Sequence, residues 1–586
     1  MPYDTQTSLN SAAQDLFAVP PHLATFWSGA GISGDPPTQG PLGYALTDRA
    51  IEQAFDRDVF LDRLRGAYTA LGLPRDRPRL ESVLDAAAAE HGIEVLDRLL
   101  ADLREPPANG NHRFFAEHTR HGGHHVTANF DTCIERAGGE LDRTFHIHGS
   151  FTDAGGVEAL GARVGRIEAG FDNDQKAALD SLLGGTSTLI VVGYSGLDYF
   201  DVDPYWREAA ARDLLRDRKV VWINHSGHWE LSSGDSCQRR QLRTFADLGG
   251  AEVYQLDAPT RDVLNLVAAA WGFAPIPDPP LVEARSIPAV TLPAAARERA
   301  TTRFFVMAGL RGVAGERLKG RDLDAEEHRW AAESDWAAGR YRRAAQHWTA
   351  GHSGPGTSEV VARQERQGAC LWLRGQLRAA RELLSQTLTY ATVEGADVEQ
   401  RLVVAETLGR VLVHMRRLPD TRLLVDRTSI DTALGALSET EKTITEAALG
   451  RSMSLQLLAR VQSVRADLTG QPLPNHPFDG GPIRDFDESE ALLPMLNYEH
   501  AQLRVRADAA RRGEGGRPER WEYKRHRNRF LALGATGDAA RVPLLPGAAR
   551  AFPVSEVIHG LAACDFTTYH LARLTVLHLL QRARDR

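Results

Sequence analysis

The chain has 586 residues, enough for two to four domains, and 42% of them are hydrophobic, so each domain can bury a sizeable core. A formal net charge of −8 argues against a chain-wide nucleic-acid coat. Cys133, Cys237, Cys370 and Cys564 lie far apart with no Cys-x-x-Cys pair, which excludes a disulfide framework and a compact all-cysteine zinc module and fits a reducing cytoplasm.

The N-terminus, MPYDTQTSLNSAAQDL, lacks a basic region followed by an apolar one, so no secretory signal is expected. No apolar run reaches the length of about 18 residues that spans a bilayer, and a cytoplasmic protein without membrane contact is expected. Strand-like runs follow at LATFWS (23–28), HHVTA (124–128), TLIVVG (188–193), KVVWIN (219–224) and AEVYQL (251–256). Helical patterns separate them, such as VLDRLLADLRE (95–105) and DPYWREAAARDLLRD (203–217). Strands alternating with helices predict an α/β domain over 1–271 with a doubly wound, Rossmann-like parallel sheet. The helical stretch over 47–120 exceeds one crossover and reads as a small insertion beside that sheet.

Residues 272–293 are proline-rich and lack helical period, so they read as a linker. Beyond them, 294–586 reads as an all-α helical-repeat domain. WAAGRYRRAAQHW (336–348) and WLRGQLRAARELL (372–384) match at Gly339, Tyr341, Ala344 and Trp348 against Gly375, Leu377, Ala380 and Leu384, an offset of 36 residues. This resembles a tetratricopeptide-type helix pair, whose period is about 34 residues; a generic amphipathic helical array gives a similar pattern. A third unit near 402–425 matches weakly. Residues 472–490 read as a long loop, and a last helical block ends in 569–585. The basic segment 504–529 carries Trp521 and Tyr523 and could stack on nucleic acid, but a solvated helix face or loop explains it more simply, and nucleic acid is not the expected partner.

Four motifs carry chemistry. Gly29, Ala30, Gly31 and Ser33 form GAGIS after the first strand, where a glycine turn can bring backbone amides to a phosphate or close a tight structural turn. TANFD (127–131) ends the second strand, which places Thr127 and Asn129 at the crevice where doubly wound sheets bind ligands. There the Asn129 amide could orient a ribose hydroxyl or water, and Asp131 could accept from a carboxamide; an Asx turn closing the strand is the alternative. In FHIHGSF (145–151), His146 and His148 would share one face of a strand, so the residues do not choose between them as a base, and no third ligand is spaced for a metal. Gly193 and Ser195 lie in GYSGLD (193–198), and Asn224 ends the next strand; both could be ordinary turns.

GAGIS, TANFD, His-Gly, GYSG and a strand ending in Asn occur in the order that resembles the sirtuin NAD-binding domain. The likeness is to sirtuin-like proteins of bacterial anti-phage defence and covers roughly residues 15–260. It implies that Ala30, Gly31 and Ser33 line the phosphate and nicotinamide-ribose region. Asn129 and Asp131 would border the nicotinamide pocket, His148 would be the base, and Gly193, Ser195 and Asn224 would hold the adenosine half. Two departures matter. The cysteines cannot form the four-cysteine zinc module of protein-deacylating sirtuins, and GDPPTQGPLGYAL (34–46) lacks their Pro-x-Phe-Arg element. No zinc is therefore expected.

The resemblance implies an NAD glycohydrolase releasing nicotinamide and ADP-ribose, with Asn129, Asp131 and His148 catalytic. NAD is the substrate, and the activity is gated as an NAD-depleting antiviral effector. The helical half is expected to act as a sensor or homo-oligomerisation arm that binds a phage or partner protein. The alternatives are protein ADP-ribosyl transfer or deacylation, and a non-catalytic NAD or ADP-ribose scaffold.

Overall fold

In the computed structural model the described residues are 14–71, 78–167, 170–196, 198, 201–277, 280, 290, 292–307, 311–337, 340–352, 354–417, 425, 427–447 and 468–469. Gly339, Cys564, the segments 472–490, 504–529 and 569–585, and most of 278–291 lie outside them. The chain divides into two compact units, one of residues 1–57 and 79–300, the other of 58–78 and 301–586.

The first unit is built on seven strands: β1 (Ala24–Ser28), β2 (His124–Thr127), β3 (Thr144–His146), β4 (Thr188–Val192), β5 (Lys219–His225), β6 (Glu230–Ser233) and β7 (Glu252–Ala258). Their order is β3-β2-β1-β4-β5-β7-β6, and all neighbours are parallel except β6, which runs antiparallel along β7. The order reverses between β1 and β4, so the chain leaves those two strands in opposite directions, the position at whose C-terminal edge doubly wound sheets bind ligands.

The central strands are apolar on both faces because both are covered. Phe26, Ile190, Val192, Val221 and Ile223 face one core with Phe114, Phe115, Val263 and Val267. The alternating residues Trp27, Leu189, Val191, Val220 and Trp222 face the other with Leu179, Trp206 and Phe245. The five expected strands are present. β6, of four residues, is not among the expected strands, and β3, of three, stops at His146 and so does not carry His148. The expected linker begins later than its prolines suggest. Phe273 and Ile276 pack into the first core, and Trp271 Nε1 donates to the Val19 carbonyl at 2.7 Å.

The expected insertion over 47–120 is not one body. Residues 58–78 group with the second unit, where Phe60 packs on Phe304 with ring centroids 4.6 Å apart. The helix Gly110–Arg120 instead covers the sheet through Phe114 and Phe115. Asn109 caps it, accepting from the His112 amide while His112 Nδ1 accepts from the Asn109 amide.

The second unit is helical throughout its described residues. The helices Ala325–Ala337 and Tyr341–Gly351 pack together, as do Thr357–Leu373 and Leu377–Val393. The matched residues occupy equivalent places: Tyr341, Ala344 and Trp348, like Leu377, Ala380 and Leu384, are buried in one core. Gly368 explains the close packing of the second pair, since a Cβ there would lie 2.6 Å from Leu384 Cδ2. Among the described residues no helix is long and apolar enough to cross a membrane.

Candidate functional site

The residues singled out from the sequence gather at the C-terminal edge of the parallel strands. Beyond β1 the chain makes a 3-10 turn over Ala30–Ser33. This turn is pressed against the end of β4. The Gly31 amide donates to the Gly193 carbonyl at 2.9 Å, and a Cβ on Gly31 would meet Gly193 Cα at 2.8 Å. Gly193 has φ +60°, and its own Cβ would lie 2.7 Å from the Ile32 amide nitrogen. These glycines are therefore required by the meeting of two loops. The Gly31 amide is spent on that contact and does not face a phosphate. Ala30 is half-buried and Gly31 exposed, so they form the open side of the turn.

Ser33 is buried and joins the turn to TANFD. The Asn129 Nδ2 group donates to Ser33 Oγ at 3.1 Å, and Ser33 Oγ donates to Asp131 Oδ2 at 3.3 Å. His112 Nε2 lies 3.1 Å from the same hydroxyl. Because His112 Nδ1 accepts from the Asn109 amide, its proton sits on Nε2, which donates to Ser33. Ser33 thus accepts twice and donates once, its full capacity. Burial keeps the His112 ring neutral by lowering its pKa, against the pull of Asp131. The amides of Asn109 and Asn111 donate to the Ile32 carbonyl at 2.9 and 3.1 Å, fixing the helix N-terminus beneath the turn.

Asp131 forms the Asx turn given as the alternative, its Oδ1 accepting from the Cys133 amide at 3.1 Å. Thr127 is 1% exposed, and its hydroxyl accepts from Ser28 Oγ and from the Asn129 amide, each at 3.1 Å. It shapes the strand end and offers no ligand contact. Asn129 Oδ1 has no hydrogen-bond partner among the described residues.

His146 and His148 part company because β3 ends at His146. His146 turns toward Glu135 and the Asn129 carbonyl. His148 Nε2 lies 3.0 Å from Asp201 Oδ2. Burial opposes charge on His148, but Asp201, Asp198 and Glu81 outweigh it and lift the pKa to about 9. At pH 7 the neutral ring is then a roughly hundredfold minority. The surrounding nest was not legible in the sequence: Arg79 bridges Glu81 at 2.9 Å and Asp198 at 3.1 Å, and the Tyr194 hydroxyl donates to Asp198.

The adenosine-side candidates are occupied. Asn224 Nδ2 donates to Asp257 Oδ1 at 2.6 Å, and Arg239 Nη2 donates to Asn224 Oδ1 at 2.6 Å. Arg239 also donates to the Ser195 carbonyl at 2.8 Å and stacks over Trp222. Ser195 itself is exposed. Asn224 thus ties β5, β7 and the GYSG turn together.

His112, Asp131 and Cys133 place one donor atom each within 4.8 Å of the others. Their atoms are engaged otherwise: His112 with Ser33 and Asn109, Asp131 with Ser33 and Cys133, and the Cys133 thiol with the Pro106 carbonyl at 3.3 Å. Burial, with Asp131 nearby, pushes the Cys133 thiol far up, away from the thiolate that binds metal. Comparison with protein-family models and with curated proteins returns no match.

Proposed function

We propose that the first unit is a Rossmann-like, sirtuin-like domain that binds NAD and hydrolyses its nicotinamide–ribose bond. The observation that carries this reading is Ser33, whose hydroxyl beyond the end of β1 joins Asn129 and Asp131 beyond the end of β2. Strand order, its reversal between β1 and β4, and the residue types at the strand ends support a dinucleotide site. Residues that fit the substrate are Ala30 and Gly31 on the open side of the turn, and Asn129 with its unpaired Oδ1.

Nicotinamide leaves a pyridinium as a neutral base, so the site need not protonate it. The demand is to stabilise a cationic ribose and deliver water to its C1′. Asn129 Oδ1 would accept from a ribose hydroxyl or the attacking water. Asp131, held by Ser33, would border the nicotinamide end. His148 would take the proton at Nδ1, since Nε2 is committed to Asp201. It must first be neutral. A bound pyridinium would favour that state, because a like charge disfavours the imidazolium. Positioning and electrostatics would supply most of the rate.

Unrestrained turnover would drain cellular NAD. We therefore assign the helical unit, read as tetratricopeptide-like, a gating or homo-oligomerising role through a protein partner, in line with an antiviral effector. The charged state of His148 favours one other reading, a module that binds NAD or ADP-ribose without turnover. Nicotinamide release by the full chain, measured beside NAD binding, separates the two: binding with no release supports the scaffold.

A further inference from the structure

His146 has both ring nitrogens against acceptors. Nδ1 lies 2.8 Å from the Asn129 carbonyl oxygen, and Nε2 lies 2.7 Å from Glu135 Oε1. A carbonyl can only accept, so Nδ1 carries a proton. The Nε2–Glu135 contact then holds a second proton between a ring nitrogen and a carboxylate. Both side chains are 10% exposed, so water does not supply these partners instead. Burial alone would lower the His146 pKa; the hydrogen bond and charge of Glu135 more than offset it and raise it.

The consequence falls on Asn129. Its amide donates to Thr127 Oγ1, its Nδ2 donates to Ser33 Oγ, and its carbonyl accepts from His146. Every polar group of Asn129 but Oδ1 is thereby fixed by a different element of the fold. We propose that His146 and Glu135 form a positioning pair, in which His146 Nδ1–H holds the Asn129 carbonyl and Glu135 fixes the ring, so that Asn129 Oδ1 alone is presented to the substrate. This rests on the NAD-cleavage reading for its function, but not for its geometry. Glu135 is the third residue of the short helix Cys133–Arg136, four residues after Asp131. One turn of chain therefore carries both the site's carboxylate and the anchor of its orienting histidine.

Two substitutions separate the two ring nitrogens. In His146→Asn the Nδ2 group takes the place of Nδ1 and can still donate to the Asn129 carbonyl. In His146→Gln the polar end takes the place of Nε2, reaches Glu135 and leaves that carbonyl without its donor. The test uses the full chain and has two arms. The first is nitrogen-15 NMR of histidine-labelled protein, with His146 assigned by its loss in His146→Asn. A protonated, slowly exchanging Nδ1 is expected; an Nδ1 without a proton overturns the clamp. The second is NAD cleavage with kcat and KM separated. His146→Gln should lower kcat by about 10- to 100-fold with KM nearly unchanged, the scale of a small misplacement of a reacting group. His146→Asn should stay within about threefold of wild type. Equal losses in both variants, or full kcat in His146→Gln, overturn the positioning role. If the wild type releases no nicotinamide, the cleavage reading fails instead, and the NMR arm still decides the clamp.

Discussion

His148 and Asp201, 53 residues apart in the chain, form a buried ion pair with Nε2 and Oδ2 separated by 3.0 Å. The pair lies in a nest with two further acids, Glu81 and Asp198, and one buried guanidinium, Arg79. On the proposed mechanism it decides when His148 could act as a base. With a pKa of about 9, the neutral ring accumulates only as the medium becomes alkaline. NAD cleavage by the free enzyme should therefore rise with pH up to about 9. In Asp201→Asn the carboxylate is gone, the ring should titrate nearer its ordinary value of about 6.5, and the rise should move to lower pH. A pH profile of kcat/KM for both proteins reads this directly; an unmoved profile would remove His148 as the titrating base.

The same pair makes a stability prediction. Its folded pKa is raised, so its contribution is complete below the unfolded value of about 6.5 and is lost as pH rises through about 9. That contribution is on the order of 3 kcal/mol at most. Denaturant unfolding at pH 6 and pH 9.5 should show a larger loss for wild type than for Asp201→Asn.

Ser33→Ala removes the hydroxyl that two donors and one acceptor share. Leaving buried groups unpaired should cost about 1–3 kcal/mol. It should also free the Asn129 side chain, so cleavage should fall more than NAD affinity. Melting temperature, binding and kcat, measured together, check both effects.

Gly193→Ala places a methyl 2.7 Å from the Ile32 amide at a φ of +60°. Gly31→Ala places one 2.8 Å from Gly193 Cα. Backbone cannot yield as a side chain does, so each should cost about 2 kcal/mol or more. Gly156→Ala, also at positive φ but with nothing within 4 Å of its Cβ, should cost less. Thermal denaturation of the three variants ranks them.

Exhaustive chelation should leave folding and NAD cleavage unchanged, because His112, Asp131 and Cys133 are committed to internal hydrogen bonds. Metal analysis of the purified chain before and after chelation tests this. A stoichiometric metal whose loss unfolds the protein would contradict it.

The sheet was legible where its strands are buried. LATFWS and TLIVVG are apolar on both faces because both faces are covered. β6 was not, since ELSS is polar and lies exposed or half-exposed at the sheet edge, where no apolar alternation is needed. GAGIS and GYSG fit a phosphate cradle or a tight turn equally from sequence, and only the fold shows Gly31 and Gly193 packed against each other. Asn224 stood at its expected strand end, yet its amide is held by Asp257 and Arg239, whose approach depends on strand order. The charge state of His148 was beyond reach for the same reason. Its ordinary pKa suggests a ready base, and the acids that overturn this come from distant segments. Grouping of 58–78 with the second unit likewise depends on long-range packing of Phe60 against Phe304.

The most direct test of the account is nicotinamide release from NAD by the full chain, followed from pH 6 to pH 10 for wild type, Asn129→Ala and His148→Ala. The account predicts release by wild type that grows toward pH 9 and falls at least about 100-fold in both variants. Wild type that binds NAD and releases no nicotinamide across that range, or variants that cleave as well as wild type, would contradict it.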